Sequence, residues 1–304
     1  MHFRRFYPGF DPQDFWIPLI QEVTGRRVLL TRESRADLVL TSVFESLAEM
    51  WTRRISSRVS GPSMPRSPGK LSGQAKSIWV SGENIRPPVD EYDLTLSFDL
   101  DDYGGNNIYL PLLFTELDWF PGKGAGTSSR WNRRTGMSRL RPSDVVNGRI
   151  GNVNERPNFV CAFVGNAEPV RIRAIQALQT IGQVDVFGAA VGLPVPHKYE
   201  IARDYRFMLC FENDLYPGYV TEKALEAYEC GCIPLWRGLD AANVLNAGAV
   251  INAADFQSLK DFANYVQAVD SSPERKEAYS REPLFTTQPD LGAVMVSMKD
   301  LLKN

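Results

Sequence analysis

Short runs of apolar residues recur along the first half of the chain and predict β-strands. The runs span 28–31, 38–41, 78–81, 94–98 and 108–110. Each run is nearly continuously apolar, a pattern typical of strands in a parallel sheet that is covered on both faces. A segment rich in Pro and Gly at 60–73 predicts a loop between two of these strands.

The second half of the chain repeats the pattern with clearer helices between the strands. Strands are predicted at 159–164, 184–187, 206–211, 232–236 and 249–251. Helices are predicted at 170–181, 222–230, 255–269, 273–280 and 289–302. Alternating strands and helices indicate βαβ units with right-handed crossovers. The chain is therefore expected to be α/β, with two Rossmann-like domains at 1–155 and 156–304.

Polar residues follow the predicted strand at 206–211 and lead into the next helix. A Pro217-Gly218 turn separates the strand from Thr221 and Lys223. Open α/β sheets bind ligands beyond the carboxyl ends of their strands. Thr221 is predicted to cap the helix, and the free N–H groups of the helix start, together with Lys223, suit a diphosphate.

The segment 122–158 between the two halves is rich in arginine and poor in acidic residues. It includes Arg130, Arg133, Arg134, Arg139, Arg141 and Arg149. One interpretation is a solvated linker loop. The other is a basic lip that attracts an anionic substrate, such as a lipid-linked or lipopolysaccharide acceptor.

Composition limits the possible partners and chemistry. The chain has 304 residues, 43% of them hydrophobic and 23% charged, with a formal net charge of −2, which argues against nucleic acid as the main partner. No apolar run approaches the roughly 20 residues of a membrane span, and the first residues lack the apolar stretch of a signal peptide. A cytoplasmic protein, in peripheral contact with the inner face of a membrane at most, is expected.

Few residues are available for metal binding or histidine chemistry. The chain has four cysteines, expected to be buried free thiols, and two histidines, His2 and His197. Carboxylates must therefore carry any acid–base chemistry. The acidic run at 99–102 follows a strand of the first half and is interpreted as a surface loop, so no metal site is predicted.

Several motifs resemble those of the bacterial α-1,3-fucosyltransferases of glycosyltransferase family 10. The sequence FEN at 211–213 followed by YVTEK at 219–223 resembles the signature of that family. The segments NFVCAFV at 158–164 and GEN at 82–84 resemble two further family segments. The resemblance covers about residues 77–120 and 156–240. It implies a GT-B architecture, in which two Rossmann-like domains face a cleft.

The resemblance also implies an activity and a division of labour between the domains. The N-terminal domain would bind a glycan acceptor and the C-terminal domain GDP-fucose, with inverting transfer of L-fucose to a hydroxyl, α-1,3 to GlcNAc. Glu83, next to Asn84 on the acceptor side, lies just beyond a predicted strand, where a general base is needed. Arg171 and Lys223 would stabilise the departing GDP.

Further donor contacts are implied at Asn213, Tyr219, Thr221 and Glu222. Each candidate also has a structural interpretation: Glu83 as a turn residue and Glu222 as an acid favoured in the first turn of a helix. No cofactor is expected, and a divalent metal would at most stimulate the reaction, because the donor half has no Asp-x-Asp triplet.

Other nucleotide-binding proteins remain to be compared. A dehydrogenase would need G-x-G-x-x-G after the first strand of a half, and neither that motif nor a P-loop occurs. A GT-B transferase that uses another GDP-sugar and a non-catalytic nucleotide-sugar binding module remain as alternatives. The identity of the acceptor is not predicted.

Overall fold

The structure of the chain is a computed structural model that describes residues 1–7, 9–44, 75–123, 129–149 and 153–303. It divides into two compact units. Unit 1 comprises 1–112 and 291–304, and unit 2 comprises 113–290. The predicted loop at 60–73 lies outside the described residues.

Unit 1 is built on a five-stranded parallel sheet whose strands follow one another in chain order. The strands are β1 (His2–Arg4), β2 (Leu38–Thr41), β3 (Lys76–Val80), β4 (Leu94–Ser97) and β5 (Asn107–Tyr109). Helix α1 (Trp16–Thr24) follows β1 and ends at Gly25, whose φ of 65° is the left-handed conformation that glycine adopts readily. Strand β3 is the middle strand, so the residues after it lie at the centre of the carboxyl edge of the sheet.

Unit 2 contains a second five-stranded parallel sheet, whose order β10-β9-β8-β6-β7 includes one reversal. Its strands are β6 (Asn158–Phe163), β7 (Val184–Phe187), β8 (Tyr205–Phe211), β9 (Ile233–Arg237) and β10 (Ile251–Asn252). Its helices are α2 (Arg130–Thr135), α3 (Pro169–Gln179), α4 (Lys198–Ala202), α5 (Lys223–Glu229), α6 (Leu259–Asp270) and α7 (Pro273–Arg281). The order reverses between β6 and β8, which is the topological switch point where ligands of such sheets bind.

The two faces of the unit 2 sheet bury separate hydrophobic clusters. Phe207, Leu209 and Phe211 of β8 belong to one cluster, and Met208 and Cys210 belong to the other. Successive side chains of a strand point to opposite faces, so the nearly continuous apolar runs of the sequence reflect a sheet that is covered twice. The prediction of an α/β fold with parallel sheets is confirmed.

The compact units differ from the predicted division at 155/156. Leu113, Leu117, Trp131 and Val145 all lie in the hydrophobic cluster that also contains Cys210 of β8. These four residues therefore contribute to the core of unit 2, although they precede its first strand. The last helix, α8 (Gly292–Lys303), packs against α1, β4 and β5 in unit 1.

One predicted strand is wrong, and one strand was not predicted. Residues 28–31 form no strand, although the Met1 amino group donates to the Leu29 carbonyl and the Thr31 N–H donates to the Met1 carbonyl, both at 3.0 Å, as between neighbouring strands of a parallel sheet. His2–Arg4 instead pairs with β2. Leu29, in the mispredicted segment, is 68% exposed.

Two expectations about cysteines and membrane spans can be compared with the structure. All four cysteines are free and buried, which confirms the prediction. Among the described residues, no helix has both the length and the apolar character needed to cross a bilayer.

Candidate active site

The guanidinium of Arg171 joins the two sides of the switch point in unit 2. Arg171 lies in the first turn of α3, after β6, and its Nη1 donates to the Asn166 carbonyl at 2.6 Å. Its Nη2 donates to the carbonyl of Phe211 at 3.1 Å and to Oδ1 of Asn213 at 3.2 Å. The structure therefore brings two predicted site residues, Arg171 and Asn213, together at the carboxyl end of β8.

Arg171 retains donors for a further ligand. A guanidinium has five N–H groups, and the three bonds to Asn166, Phe211 and Asn213 leave the Nε hydrogen and one Nη1 hydrogen. Burial lowers the pKa of Arg171, whereas the carboxylates of Glu168 and Glu212 act in the opposite direction. Because arginine stays protonated in proteins, the group remains a fixed cation beside the end of β8.

Glu212 is the centre of a hydrogen-bond network that sequence reasoning missed. Its side chain is fully buried. Its Oε1 accepts from the Thr221 N–H at 2.8 Å and from Nε1 of Trp236 at 3.2 Å. Its Oε2 accepts from the Thr221 hydroxyl at 2.6 Å and from Nζ of Lys223 at 3.0 Å. These four donors satisfy both oxygens of a carboxyl group that has no access to water.

Lys223 is held by this network with capacity for another ligand. Its Nζ also donates to Oγ1 of Thr221 at 2.8 Å, so two of its three donors are in use. Burial lowers the pKa of Lys223, but the carboxylates of Glu212 and Glu222 outweigh that effect, and the net pKa is raised. The ammonium is therefore charged at neutral pH.

The predicted helix cap at Thr221 is wrong. Helix α5 begins at Lys223 with Glu222 at its N-cap position, and no side chain caps it. Both the N–H and the hydroxyl of Thr221 donate to Glu212. The Thr221 N–H is therefore not free for a diphosphate, and the cationic groups of the site are the side chains of Arg171 and Lys223.

Glu222 is half-buried and faces a residue from the arginine-rich segment. Its Oε1 lies 3.3 Å from Nη1 of Arg134 in α2. Burial raises the pKa of Glu222, but Lys223, Arg134 and Arg130 lower it more strongly, so the net pKa is lowered. Glu222 is thus a carboxylate in a cationic environment.

Neither interpretation of the segment 122–158 describes four of its arginines, whereas Arg133 and Arg141 are exposed. Arg130 pairs with Glu116 at 3.3 Å, and Arg139 donates to the backbone carbonyls of Thr115 and Glu116. Arg149 stacks on the Tyr228 ring, 4.0 Å from its centroid. With Arg134, these arginines bind groups within unit 2, so they are neither loosely solvated nor arranged as an open basic lip.

Two aromatic residues of the signature region are buried. Tyr219, which the sequence implied as a donor contact, is 1% exposed and packs in the interior. Trp236 is equally buried and donates to Glu212. A Cβ at Gly238 would lie 2.1 Å from the Trp236 ring, so only glycine permits the strand to end against this indole.

Glu83 and Asn84 lie in unit 1, in the turn that follows β3. The Glu83 carbonyl accepts from the Ser81 hydroxyl at 2.9 Å and from the Ile85 N–H at 2.7 Å. Oδ1 of Asn84 accepts from Arg86. The backbone before Glu83 is tightly packed, because a Cβ at Gly82 would meet the Phe44 ring at 2.6 Å.

The interpretation of the acidic run at 99–102 as a surface loop is only partly correct. Asp99 is buried, and its Oδ2 accepts from the Tyr103 hydroxyl at 2.9 Å. The exposed Asp101 and Asp102 accept from backbone N–H groups of the same turn. Across the part of the chain that the structure describes, no group of three or more His, Cys, Asp or Glu side chains is arranged to hold a metal ion.

Comparison with known proteins places this site in a family. Residues 153–281 match the model of the C-terminal domain of glycosyltransferase family 10 (fucosyltransferase). The chain carries a family 10 glycosyltransferase domain. This domain contains Arg171, the Glu212 network and Glu222.

Curated relatives extend the similarity to the first half of the chain. The human 4-galactosyl-N-acetylglucosaminide 3-alpha-L-fucosyltransferase FUT6 is 36% identical over 231 residues, covering 72% of this chain and 56% of the relative. The alpha-(1,3)-fucosyltransferase FucT of Helicobacter pylori is 27% identical over 209 residues, covering 64% of this chain and 44% of the relative. The chain spans about half the length of these relatives.

Solved structures confirm the fold of the family 10 chain. A crystal structure of alpha1,3-fucosyltransferase with GDP-fucose is similar over 100% of this chain and 90% of that chain, with a TM-score of 0.68 and 18% identity. A structure of alpha1,3-fucosyltransferase with GDP has the same TM-score at 20% identity. The predicted GT-B class, with two Rossmann-like sheets, is confirmed.

Proposed function

We propose that this chain is an inverting, GDP-fucose-dependent α-1,3-fucosyltransferase that transfers L-fucose to a hydroxyl of a glycan acceptor. The observation that carries the proposal is the pair of cations, Arg171 and Lys223, held at the switch point of the family 10 domain. Both retain N–H donors after their protein contacts. A nucleoside diphosphate is the ligand that such a pair suits.

In the proposed reaction, Arg171 and Lys223 stabilise the negative charge that develops on GDP as it leaves. Interactions that strengthen in the transition state are the ones that accelerate transfer. Glu222 would accept hydrogen bonds from donor hydroxyls, and Asn213 would contact the donor beside Arg171. Thr221 would act through Lys223, because its hydroxyl accepts a hydrogen bond from the Lys223 ammonium. The buried Tyr219 would support the turn between β8 and α5.

Glu83 is the proposed general base, with Asn84 beside it on the acceptor side. Its carboxylate would take the proton of the acceptor hydroxyl as that oxygen bonds to the anomeric carbon of fucose. The bond from this carbon to the diphosphate oxygen breaks in the same displacement, and GDP leaves with the electron pair. One displacement inverts the anomeric centre, whereas retention by two displacements would require a nucleophilic carboxylate.

The proposed reaction needs no metal, because Arg171 and Lys223 provide the cationic partners of the diphosphate. We expect activity to persist in EDTA, with modest stimulation by Mg²⁺ or Mn²⁺ through binding to released GDP. Turnover measured before and after chelation checks this expectation. Complete loss in EDTA that one divalent ion restores would contradict it.

The direct test of the function is turnover of GDP-fucose against a panel of galactosyl-GlcNAc, GlcNAc and lipid-linked acceptors. Transfer to the 3-hydroxyl of GlcNAc, with product linkage assigned by NMR, is the expected result. GDP-mannose and other GDP-sugars in parallel would reveal a transferase with a different donor. Tight GDP-fucose binding without transfer to any acceptor would favour the non-catalytic binding module.

A further inference from the structure

Helix α2 meets helix α5 through one arginine that contacts two glutamates. Nη1 of Arg134 lies 3.3 Å from Oε1 of Glu222, and its Nη2 lies 2.6 Å from Oε1 of Glu226. Glu222 and Glu226 are four residues apart and so lie on the same side of α5. The forked guanidinium therefore spans one turn of the helix that begins beside the proposed diphosphate site.

We propose that Arg134 is a positioning residue for donor binding, which it aids by fixing the carboxylate of Glu222. The proposal rests on the proposed function and extends it to a helix outside the segment 153–281 that matches the family. Among the described residues, Oε1 of Glu222 accepts a side-chain hydrogen bond from Arg134, and no side-chain donor contacts its Oε2. Arg134 thus binds one oxygen of Glu222 and leaves the other to accept a hydrogen bond from a hydroxyl of GDP-fucose.

Helix α2 is anchored well enough to hold Arg134 in place. Trp131, one turn earlier, is 1% exposed and donates from Nε1 to Oε2 of Glu229 at 2.7 Å. The helix is capped by the Ser129 hydroxyl, which accepts from the Asn132 N–H at 3.1 Å. Arg134 itself lies over the Trp131 ring, 5.3 Å from its centroid. The guanidinium of Arg134 therefore projects from a helix that is capped and is anchored by a buried tryptophan.

The second contact of Arg134 separates a positioning role from general stabilisation. Glu226 is also paired with Lys198, whose Nζ lies 2.6 Å from its Oε2. Removal of Arg134 therefore leaves Glu226 with a cationic partner. Glu222 then loses the ion pair that orients it, and the effect of the substitution is expected at the donor site.

The test compares Arg134→Ala, Arg134→Lys and Arg133→Ala in the full chain by calorimetry with GDP-fucose. Loss of a charged hydrogen bond at a half-buried carboxylate predicts donor binding weaker by on the order of tenfold in Arg134→Ala. Arg134→Lys should recover part of the affinity. Arg133, exposed on the same helix, is the matched control, and its substitution should leave donor affinity unchanged.

A double-mutant cycle with Glu222→Gln distinguishes positioning from a separate structural effect. If Arg134 acts through Glu222, then Arg134→Ala should weaken donor binding little further in the Glu222→Gln background. The dependence of GDP-fucose affinity on pH gives a second readout. The charged groups that act on the Glu222 carboxyl are Lys223, Arg130, Arg134 and Glu116. Removing Arg134 raises the pKa of Glu222, so the acid limb of donor affinity should move to higher pH.

Each outcome decides the proposal. Wild-type affinity in Arg134→Ala, or full additivity with Glu222→Gln, overturns it while the proposed function stands. Failure of the wild-type chain to bind GDP-fucose overturns the proposed function and this inference with it. Should Arg134→Ala fail to fold, as judged by its thermal transition, Arg134→Gln removes the charge but keeps a polar side chain and the first three carbons, and it is subject to the same criteria.

Discussion

Glu212 lies at a fully buried position, where an acidic side chain is tolerated only if several hydrogen-bond donors surround it. Four donors do so, from Thr221, Lys223 and Trp236. The carboxylate thereby fixes the ammonium of Lys223 and closes the turn 213–221 against the end of β9. One glutamate thus connects the stability of the domain with the position of Lys223, one of the two cations proposed to bind the diphosphate.

We expect Glu212→Gln to destabilise the chain and to weaken GDP binding. The amide places N–H donors against Lys223 and Thr221, and breaking a buried ion pair costs about 3 kcal/mol. Urea unfolding and GDP calorimetry measure the two effects. Glu200→Gln, at an exposed position in α4, is the control. Wild-type stability in Glu212→Gln would remove the network from the account of the site.

Glu83→Gln should retain GDP-fucose binding and lose turnover. The amide keeps the shape of the side chain but cannot take a proton, which predicts a fall in kcat on the order of 10²–10⁴-fold. Asp90→Asn, exposed in the same region of unit 1, should turn over normally. Near wild-type kcat in Glu83→Gln would exclude Glu83 as the base.

Helices α2 and α5 of unit 2 meet through charged and hydrogen-bonded side chains. Glu222, Glu226 and Glu229 lie on one side of α5, and α2 meets them with Arg134 and Trp131. Burial raises the pKa of Glu229 to about 8, with contributions from Glu226 and Glu116, while the Trp131 hydrogen bond opposes the rise. Glu229 is therefore protonated in the folded chain at neutral pH.

This raised pKa predicts a specific dependence of stability on pH. The folded state binds a proton at Glu229 that the unfolded chain releases above its ordinary pKa near 4.5. The stabilisation is complete below that pH and is lost as pH rises through about 8. Glu229→Gln, a neutral isostere, should flatten the fall in melting temperature between pH 5 and 9 that the wild type shows. An unchanged slope in Glu229→Gln would contradict the assignment.

The apolar pattern predicts strands correctly where both faces of the sheet are buried, and it fails where apolar residues are exposed. The strands of unit 2 emerge from apolar runs because both faces of the sheet are covered. Residues 28–31 have a similar composition, but Leu29 and Leu30 are 68% and 58% exposed, and β1 is the strand that pairs with β2. At the site, the residue types of Arg171 and Lys223 signal a phosphate ligand. Glu212 could have been found as a charge directly after a buried strand.

Other features of the site depend on contacts between residues distant in sequence. The pairing of Arg134 with Glu222 joins positions 88 residues apart, and no local pattern relates them. The misassigned cap at Thr221 has a related cause, because its hydroxyl donates to the carboxyl group of Glu212, nine residues earlier and just after β8, rather than capping the helix. Long-range hydrogen bonds therefore override the local signals that sequence analysis uses.

At the scale of the molecule, α8 completes unit 1 from the far end of the chain. Val294 and Met298 are buried, and the helix packs on α1, β4 and β5. Unit 1 is thus made of two chain segments, whereas unit 2 is continuous. The stability of unit 1 should therefore depend on residues of α8, which follow unit 2 in the sequence.

Met298→Ala should destabilise unit 1 by about 2–5 kcal/mol, the usual cost of truncating a buried methionine. The expected readout is faster amide hydrogen exchange in β4 and β5. Val296→Ala, at a position of α8 that is 60% exposed, should change stability by less than about 0.5 kcal/mol. Equal effects of the two substitutions would show that α8 is not part of the core of unit 1.

The discontinuity of unit 1 also has a consequence during synthesis. Domains generally fold in the order in which they leave the ribosome, the N-terminal one first. Here every residue of unit 2 is translated before the ribosome reaches α8. We therefore expect unit 2 to reach its native structure first on the nascent chain. Until α8 is synthesised, the surfaces of α1, β4 and β5 that it covers remain exposed and available to chaperones.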